Sequence, residues 1–307
     1  MTRLTTTLLG VCTLGLPACS KDHEGGKDAA PAAAAAAPAQ KPAPFNARRV
    51  KVALVQFSGA GDYFTLWTDG ARHQADAAGL DVQVYDAKAD SAEQAADMQT
   101  AIKSGVKGII VDHGLAGNMC PLIRQATDAG IPVVVYDVEI TDCAPNAVET
   151  EQNDDGLATL VLTQMAKDVG DGIPVGYVNA YGIAPLDRRD IVWKKFVADH
   201  KWAQKFFVGT FTHDVAGDNA RLADRALKAH PGVKAIFAPY DELTKGTVSP
   251  IEKNGLASMV AAYGIDISNA DIELMTKQDS PWKATATTDP RAVGAAVART
   301  LALELAG

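Results

Sequence analysis

Apolar and polar positions along this chain alternate between two rhythms. Short runs rich in Val, Ile and Leu occur at 50–55, 80–86, 108–112 and 132–137. Between them lie stretches with helical spacing, one from Tyr63 to Ala78 and one over 92–104. Runs this apolar are buried on both faces, which predicts parallel strands covered by helices. The first run breaks at Ser58-Gly59-Ala60-Gly61-Asp62 before the helical pattern resumes. Ligands on such sheets sit beyond the carboxyl ends of the strands. The loops at 58–64, 112–118 and 137–143 are therefore expected to line one rim.

The second half repeats the alternation. A helix is predicted over 153–169, opened by Asn153-Asp154 with acids in its first turn. Strands follow at 174–178, 206–210 and 233–238, with helices at 188–200, 219–230 and 243–254, and the run 259–263 is expected to close the sheet. The fold class is α/β: two Rossmann-like lobes, each a parallel sheet flanked by helices, joined by hinge strands near residue 150 with a ligand cleft between them.

The first residues break this pattern. Arg3 precedes an apolar run over 8–16 that ends in Leu16-Pro17-Ala18-Cys19. A basic start, a short apolar core and small residues before a cut describe a secretory signal, too short to span a bilayer permanently. Leu16-Pro17-Ala18-Cys19 resembles the lipobox of bacterial lipoproteins, in which the cysteine is acylated and becomes the new N-terminus. Pro17 departs from the usual residue there, and simple cleavage into the periplasm is the alternative. The expected organisation is a signal peptide at 1–18, then an acylated Cys19 and a flexible Ala/Pro-rich tether over 19–47. The tether has no pattern able to bury a core, and its prolines favour extended conformations.

Roughly 260 residues remain, more than one core usually holds, which supports two lobes. The net charge of −8 is dispersed, without the basic stripe that nucleic-acid binding requires. Export also sorts the four cysteines. Cys12 leaves with the signal and Cys19 takes lipid. Cys120 and Cys143 lie just past the carboxyl ends of neighbouring strands, where an oxidising compartment would join them. A loop of that size would add about 3 kcal/mol; two unpaired buried thiols are the alternative.

Several segments, in order, carry a family resemblance. Val52-Ala53-Leu54-Val55 leads to Tyr63-Phe64 and Asp69-Gly70-Ala71. The strand Ile131-Pro132-Val133-Val134-Val135-Tyr136 ends in Asp137, Arg189 stands four residues before Trp193, and 229–238 runs into Asp241-Glu242. Over residues 48–306 the chain resembles periplasmic sugar-binding proteins of the ribose-binding type. The resemblance implies a solute-binding protein that closes on a small neutral carbohydrate or polyol and delivers it to an ABC permease in the inner membrane. It implies a monomer with no cofactor, no metal and no catalysis. The N-terminal lobe would comprise 48–151 plus 288–307 and the C-terminal lobe 152–287. Asp137 matches the family's ligand-binding aspartate and Arg189 an arginine that contacts the sugar. With Tyr63, Phe64, Asp112, Tyr240 and Asp266 they form the candidate ligand set. Charged planar groups make directional bonds to adjacent hydroxyls, while aromatic rings cover a sugar's C–H face. Trp67, one helical turn beyond Tyr63, reads as core, as do Trp193 and Phe196.

Departures from the family bear on the ligand. An asparagine of the first loop is replaced by Gly61 or its neighbours, the arginine after the strand-end aspartate by Val138, and the asparagine before Asp-Glu by Tyr240. The late aspartate appears only as the shifted Asp266. A larger, less hydroxylated or furanose-like ligand is expected. Family members continue past the last helix into a strand crossing back between lobes, whereas this sequence stops at Gly307, so a truncated sequence is expected, an absent third crossing being the alternative.

Other classes fit less well. Gly59-Ala60-Gly61 is followed by Phe64 where a dinucleotide fingerprint needs glycine. His73, His113, His200, His213 and His230 show no metal spacing. No helix-turn-helix precedes residue 48, against a gene regulator. A sensory binding protein that presents its ligand to a chemoreceptor or sensor kinase is the main alternative.

Overall fold

In the computed structural model, described here over residues 42–46 and 49–307, two sheets follow one another along the chain. The expected signal peptide at 1–18, Cys19 and most of the 19–47 tether lie outside the described residues. Within the described end of the tether, Phe45 packs against the core.

The first sheet contains β1 (Val50–Gln56), β2 (Leu80–Asp86), β3 (Ile109–Asp112), β4 (Val133–Tyr136) and β5 (Val148–Thr150), all parallel, in the order β2-β1-β3-β4-β5. Helices α1 (Asp62–Ala78), α2 (Ser91–Lys103) and α3 (Ala116–Asp128) pack on it. The second sheet contains β6 (Pro174–Val178), β7 (Ala203–Val208), β8 (Ala235–Ala238), β9 (Ala261–Ile265) and β10 (Trp282–Ala286), again all parallel. Its order is β7-β6-β8-β9-β10, so it repeats the winding of the first. Around it lie α4 (Asp154–Val169), α5 (Ala184–Asp199), α6 (Val215–Ala229), α7 (Asp241–Lys253) and α8 (Asn269–Met275). The last helix, α9 (Pro290–Ala306), returns to the first lobe and lies along α1. Gly70 and Gly294 permit that approach: a Cβ on either would stand 2.1 Å from a backbone oxygen of the other helix. In each sheet the winding reverses between the first and third strands, and the crevice at that switch point is where such sheets bind ligands.

Most of the helical and strand pattern was predicted, with some differences. β10, not the 259–263 run, closes the second sheet. β7 begins at Ala203 and ends before Gly209. At Gly209 (φ 148) the chain turns so closely against β6 that a Cβ would meet the Asn179 carbonyl at 2.1 Å. α5 starts at Ala184, four residues before the predicted 188, with Pro185 in its first turn, where a missing N–H costs nothing.

The chain crosses between lobes after β5 and again before α9. Thr288 donates to Gln152 Oε1 at 3.1 Å, tying the two crossings together. Cys120 and Cys143 have Cα atoms 5.8 Å apart, within disulfide range. Trp67 is fully buried and stacks on Tyr136 at 5.4 Å. Trp193 is buried between Tyr177 and Phe237.

Candidate ligand-binding site

The loops at the carboxyl ends of the two sheets face each other, and each side contributes differently. β1 runs into Gly61, whose φ of 93° suits glycine, and α1 starts immediately after it. A Cβ at Gly61 would also stand 2.9 Å from the Tyr240 hydroxyl of the other lobe. The glycine here thus lets the two lobes approach. It points the first turn of α1 at the cleft, where Tyr63 and Phe64 are both 2 % exposed. The Tyr63 hydroxyl pairs with that of Tyr136 at 2.6 Å. Phe64 stands edge-on to His113 at 4.9 Å and to Tyr240 at 6.1 Å. Phe211, from the loop after β7, lies parallel to Tyr240 at 6.0 Å.

The strand ends supply the charge. Asp112 does not line the cavity as its inclusion in the candidate set implied. Its carboxylate accepts from Gln56 Nε2 at 2.9 Å and is 2.7 Å from His113 Nδ1. It sits behind His113 and orients it; the next residue, with φ 55°, is the one that turns into the cleft. Burial opposes a charge on His113, but the Asp112 carboxylate more than offsets it and holds the imidazole pKa above its ordinary value. His113 Nε2 lies 3.7 Å from Asp137 Oδ2. Asp137 ends β4 in the left-handed region (φ 56°), and its other oxygen accepts a short bond from Arg188. Burial pushes the Asp137 carboxyl up to about 6 against the pull of His113, with Asp154 adding to the rise.

On α5, Arg188 and Arg189 share one carboxylate at the hinge. Arg188 Nε donates to Asp154 Oδ2 at 2.8 Å and Arg189 Nε to Oδ1 at 2.7 Å. Arg189 is fully buried. Its Nη1 donates to the Pro239 carbonyl at 2.6 Å and stands 3.3 Å from Asp266 Oδ2. The pair bridging the lobes is therefore Arg188 with Asp137, while Arg189 is held inside the second lobe. Among the described residues, Asp137 Oδ2, Arg189 Nη2, Asp266 Oδ1 and the Tyr240 hydroxyl are buried and find no hydrogen-bond partner. Buried polar groups are nearly always paired, so this concentration in one cleft marks a place prepared for polar contacts.

The cavity between the lobes is lined by Tyr63, Phe64 and His113 on one side. Ile183, Pro185, Leu186, Arg189, Phe211, Tyr240 and Asp266 line the other, with Gln152 at the hinge. Five of the seven sequence candidates line it; Asp137 reaches it through His113, and Asp112 lies behind. His113, Gln152, Arg188, Phe211 and the Ile183–Leu186 turn were not singled out from sequence. The signal available was their position at the ends of β3, β5, β6 and β7. The space left between these side chains is about 20 Å3, room for about one water, so any larger ligand requires the lobes or the lining side chains to stand further apart than they do here.

At the mouth of the cleft a second cluster holds the lobes together. Asp62 at the start of α1 accepts from Lys245 Nζ and from Ser268 Oγ, both at 2.8 Å, and its backbone N–H donates to Glu242 at 3.1 Å. Asp62, Asp241 and Asp271 bring carboxylate oxygens within 4.8 Å of one another, a spacing a metal could use. Lys245 already places an ammonium there, 3.6 Å from Asp271.

Comparison with known proteins agrees with this geometry. The model of the periplasmic binding protein domain matches residues 52–307. The ribose import binding protein of Escherichia coli (strain K12) is 28% identical over 222 residues, 70% of this chain and 72% of that protein. The 5-methylthioribose transporter solute binding protein from Thermotoga lettingae TMO, solved with 5-methylthioribose, superposes with a TM-score of 0.81 at 33% identity, covering 84% of this chain and 82% of its own. A sugar ABC transporter protein from Yersinia enterocolitica gives the same TM-score at 27% identity, covering 84% and 78%. Two parallel sheets wound alike, a cleft at their switch points and these matches lead to one assignment: the chain belongs to the periplasmic binding protein family, among the solute-binding proteins of the ribose-binding type.

Proposed function

We propose that this protein captures a pentose-like sugar bearing an apolar substituent by closing its two lobes, and hands it to an ABC permease. The observation that carries this reading is the set of unpaired buried atoms on Asp137, Arg189, Asp266 and Tyr240, drawn from both lobes and set beside aromatic and aliphatic walls. The carboxylates, guanidinium and phenol suit adjacent hydroxyls, which both donate and accept. Phe64, Phe211, Leu186 and Ile183 suit a C–H face or alkyl group, with few polar positions for additional hydroxyls. The 5-methylthioribose bound by the Thermotoga lettingae protein has this division. The act is binding alone, with no bond made or broken. Calorimetric titration with ribose and 5-methylthioribose tests the reading. Saturable binding, tighter for the thioether, is expected; no heat from either sugar would remove the carbohydrate assignment.

Export and anchoring belong to the same proposal. Cys19 is the mature N-terminus and carries acyl chains, tethering the binding domain to a membrane in the periplasm or at the cell surface. Among the described residues no helix is long and apolar enough to cross a membrane. Intact-mass analysis should find the lipid on Cys19; a mature chain starting elsewhere would contradict it. Cys120 and Cys143 form a disulfide, supported by their Cα separation of 5.8 Å. Peptide mapping without reductant should recover the linked pair.

A further inference from the structure

Beside the inner cavity a second hollow of about 340 Å3 opens along the cleft. Phe211 and Ile183 line both spaces and form the partition between them. Phe57 comes from the first lobe, its ring 5.7 Å from that of Phe211. From the second lobe come Tyr181 and Phe207, rings 5.0 Å apart and 55% and 40% exposed. Two large aromatic side chains left open side by side next to a binding cleft form an apolar surface of the kind that ligand-binding grooves present. Among the described residues no charged side chain lines the hollow, which suits a neutral occupant. Asn179 lies beneath it, fully buried, with its Nδ2 donating to the Tyr177 hydroxyl at 2.8 Å. Gly209 fixes the arrangement, because only a residue without Cβ lets the Phe211 loop pass this close to Asn179.

We propose that this hollow is a second subsite, and that the ligand is a pentose glycoside whose aglycone is a flat, neutral ring, a nucleoside being the simplest example. The inference rests on the sugar-site reading above. The pentose occupies the Arg189 and Asp266 end, its substituent passes Phe211, and the flat ring lies against Phe207 and Tyr181. Lys194 stands over the Tyr181 ring, 5.7 Å from its centre, so Phe207 offers the freer face. Because Phe57 and Leu115 come from one lobe and the remaining lining from the other, an occupied subsite also favours the closed state.

Calorimetric titration of the full-length protein with ribose, methyl ribofuranoside and adenosine tests this, repeated on Phe207→Ala and Tyr181→Ala. Both substitutions are exposed and lie outside the sugar contacts. Adenosine should bind at least about tenfold more tightly than the methyl riboside, a gain typical of one stacked base. Phe207→Ala should erase most of that gain while leaving ribose affinity unchanged. If ribose binds and adenosine binds no better, the subsite is overturned and the sugar site stands. A Phe207→Ala loss falling equally on ribose and adenosine also overturns it. If none of the three binds, the sugar-site reading fails and the subsite with it.

Discussion

Arg189 and its neighbour show how one residue step on a helix separates two roles. Successive helical residues point about 100° apart, so Arg189 turns into the second lobe toward Asp266 and the Pro239 carbonyl, while Arg188 turns across the cleft to Asp137. The sequence alone contains two adjacent arginines and no means of ranking them. Arg189→Ala should therefore cost both affinity and fold. Breaking a buried ion pair by removing one partner costs about 3–5 kcal/mol, so chemical denaturation should detect it without ligand. Arg188 is itself partly exposed but pairs with buried Asp137 and Asp154, so Arg188→Ala should cost less in unfolding than Arg189→Ala while weakening binding through the lost interlobe pair, by roughly tenfold or more. Equal effects of the two substitutions on unfolding would contradict the division. At the strand ends the reading was half legible. Asp137 ends β4 at the rim where the parallel-sheet rule places ligand contacts, and the structure sets it beside His113 and pairs it with Arg188. Asp112 stands at an equivalent place, but the left-handed turn at His113 makes the histidine face the cleft, and nothing in the sequence marks that turn.

The same buried charges set a pH response. The Asp137 carboxyl is pushed from 3.8 up to about 6. Between those values the folded chain keeps a proton the unfolded chain has lost, so this group's contribution to stability falls as pH rises across that window. His113 is raised above 6.5; its contribution is complete below 6.5 and is lost as pH rises through the folded value. Both make the unliganded protein more stable at about pH 5.5 than at about pH 7.5. Binding runs the other way, since a protonated Asp137 loses the Arg188 pair and one acceptor for a ligand hydroxyl. Melting temperature without ligand should rise, and affinity fall, on acidification through pH 6. An affinity flat across that range would separate Asp137 from the ligand.

At the scale of elements, the strands and most helices were legible because the strands are continuously apolar and the helices regularly spaced. β10 was not: in Trp282-Lys283-Ala284-Thr285-Ala286 only the first and last residues are buried. The loop bearing Phe211 was equally hidden, because its course depends on the close pass at Gly209. The contact of α1 with α7 and α8 also falls outside what local pattern can encode. Lys245 and Ser268 converge on Asp62 from more than 180 residues away. Asp62 is 42% exposed, so solvent screens the pair and its loss should cost no more than about 1 kcal/mol. Asp62→Asn should weaken ligand affinity by no more than about fivefold, chiefly through faster release, and the difference should shrink in high salt. A release rate unchanged at low salt would show that the cluster does not hold the closed state.

For the whole molecule, function depends on closure. Affinity comes from contacts that exist together only when the lobes meet, so a ligand must shift the population toward the closed form. The repeated winding of two sheets made the two lobes readable from sequence, whereas the pairing of their faces required the folded molecule. The most direct test is the distance between spin labels on opposite sides of the cleft, at Thr65→Cys on α1 and Glu273→Cys on α8, both exposed in the native chain. Titration with the sugar that binds most tightly should convert a broad or two-component distance distribution into one short, narrow component, saturating with the calorimetric affinity. A distribution that does not change while the site fills would contradict capture by lobe closure.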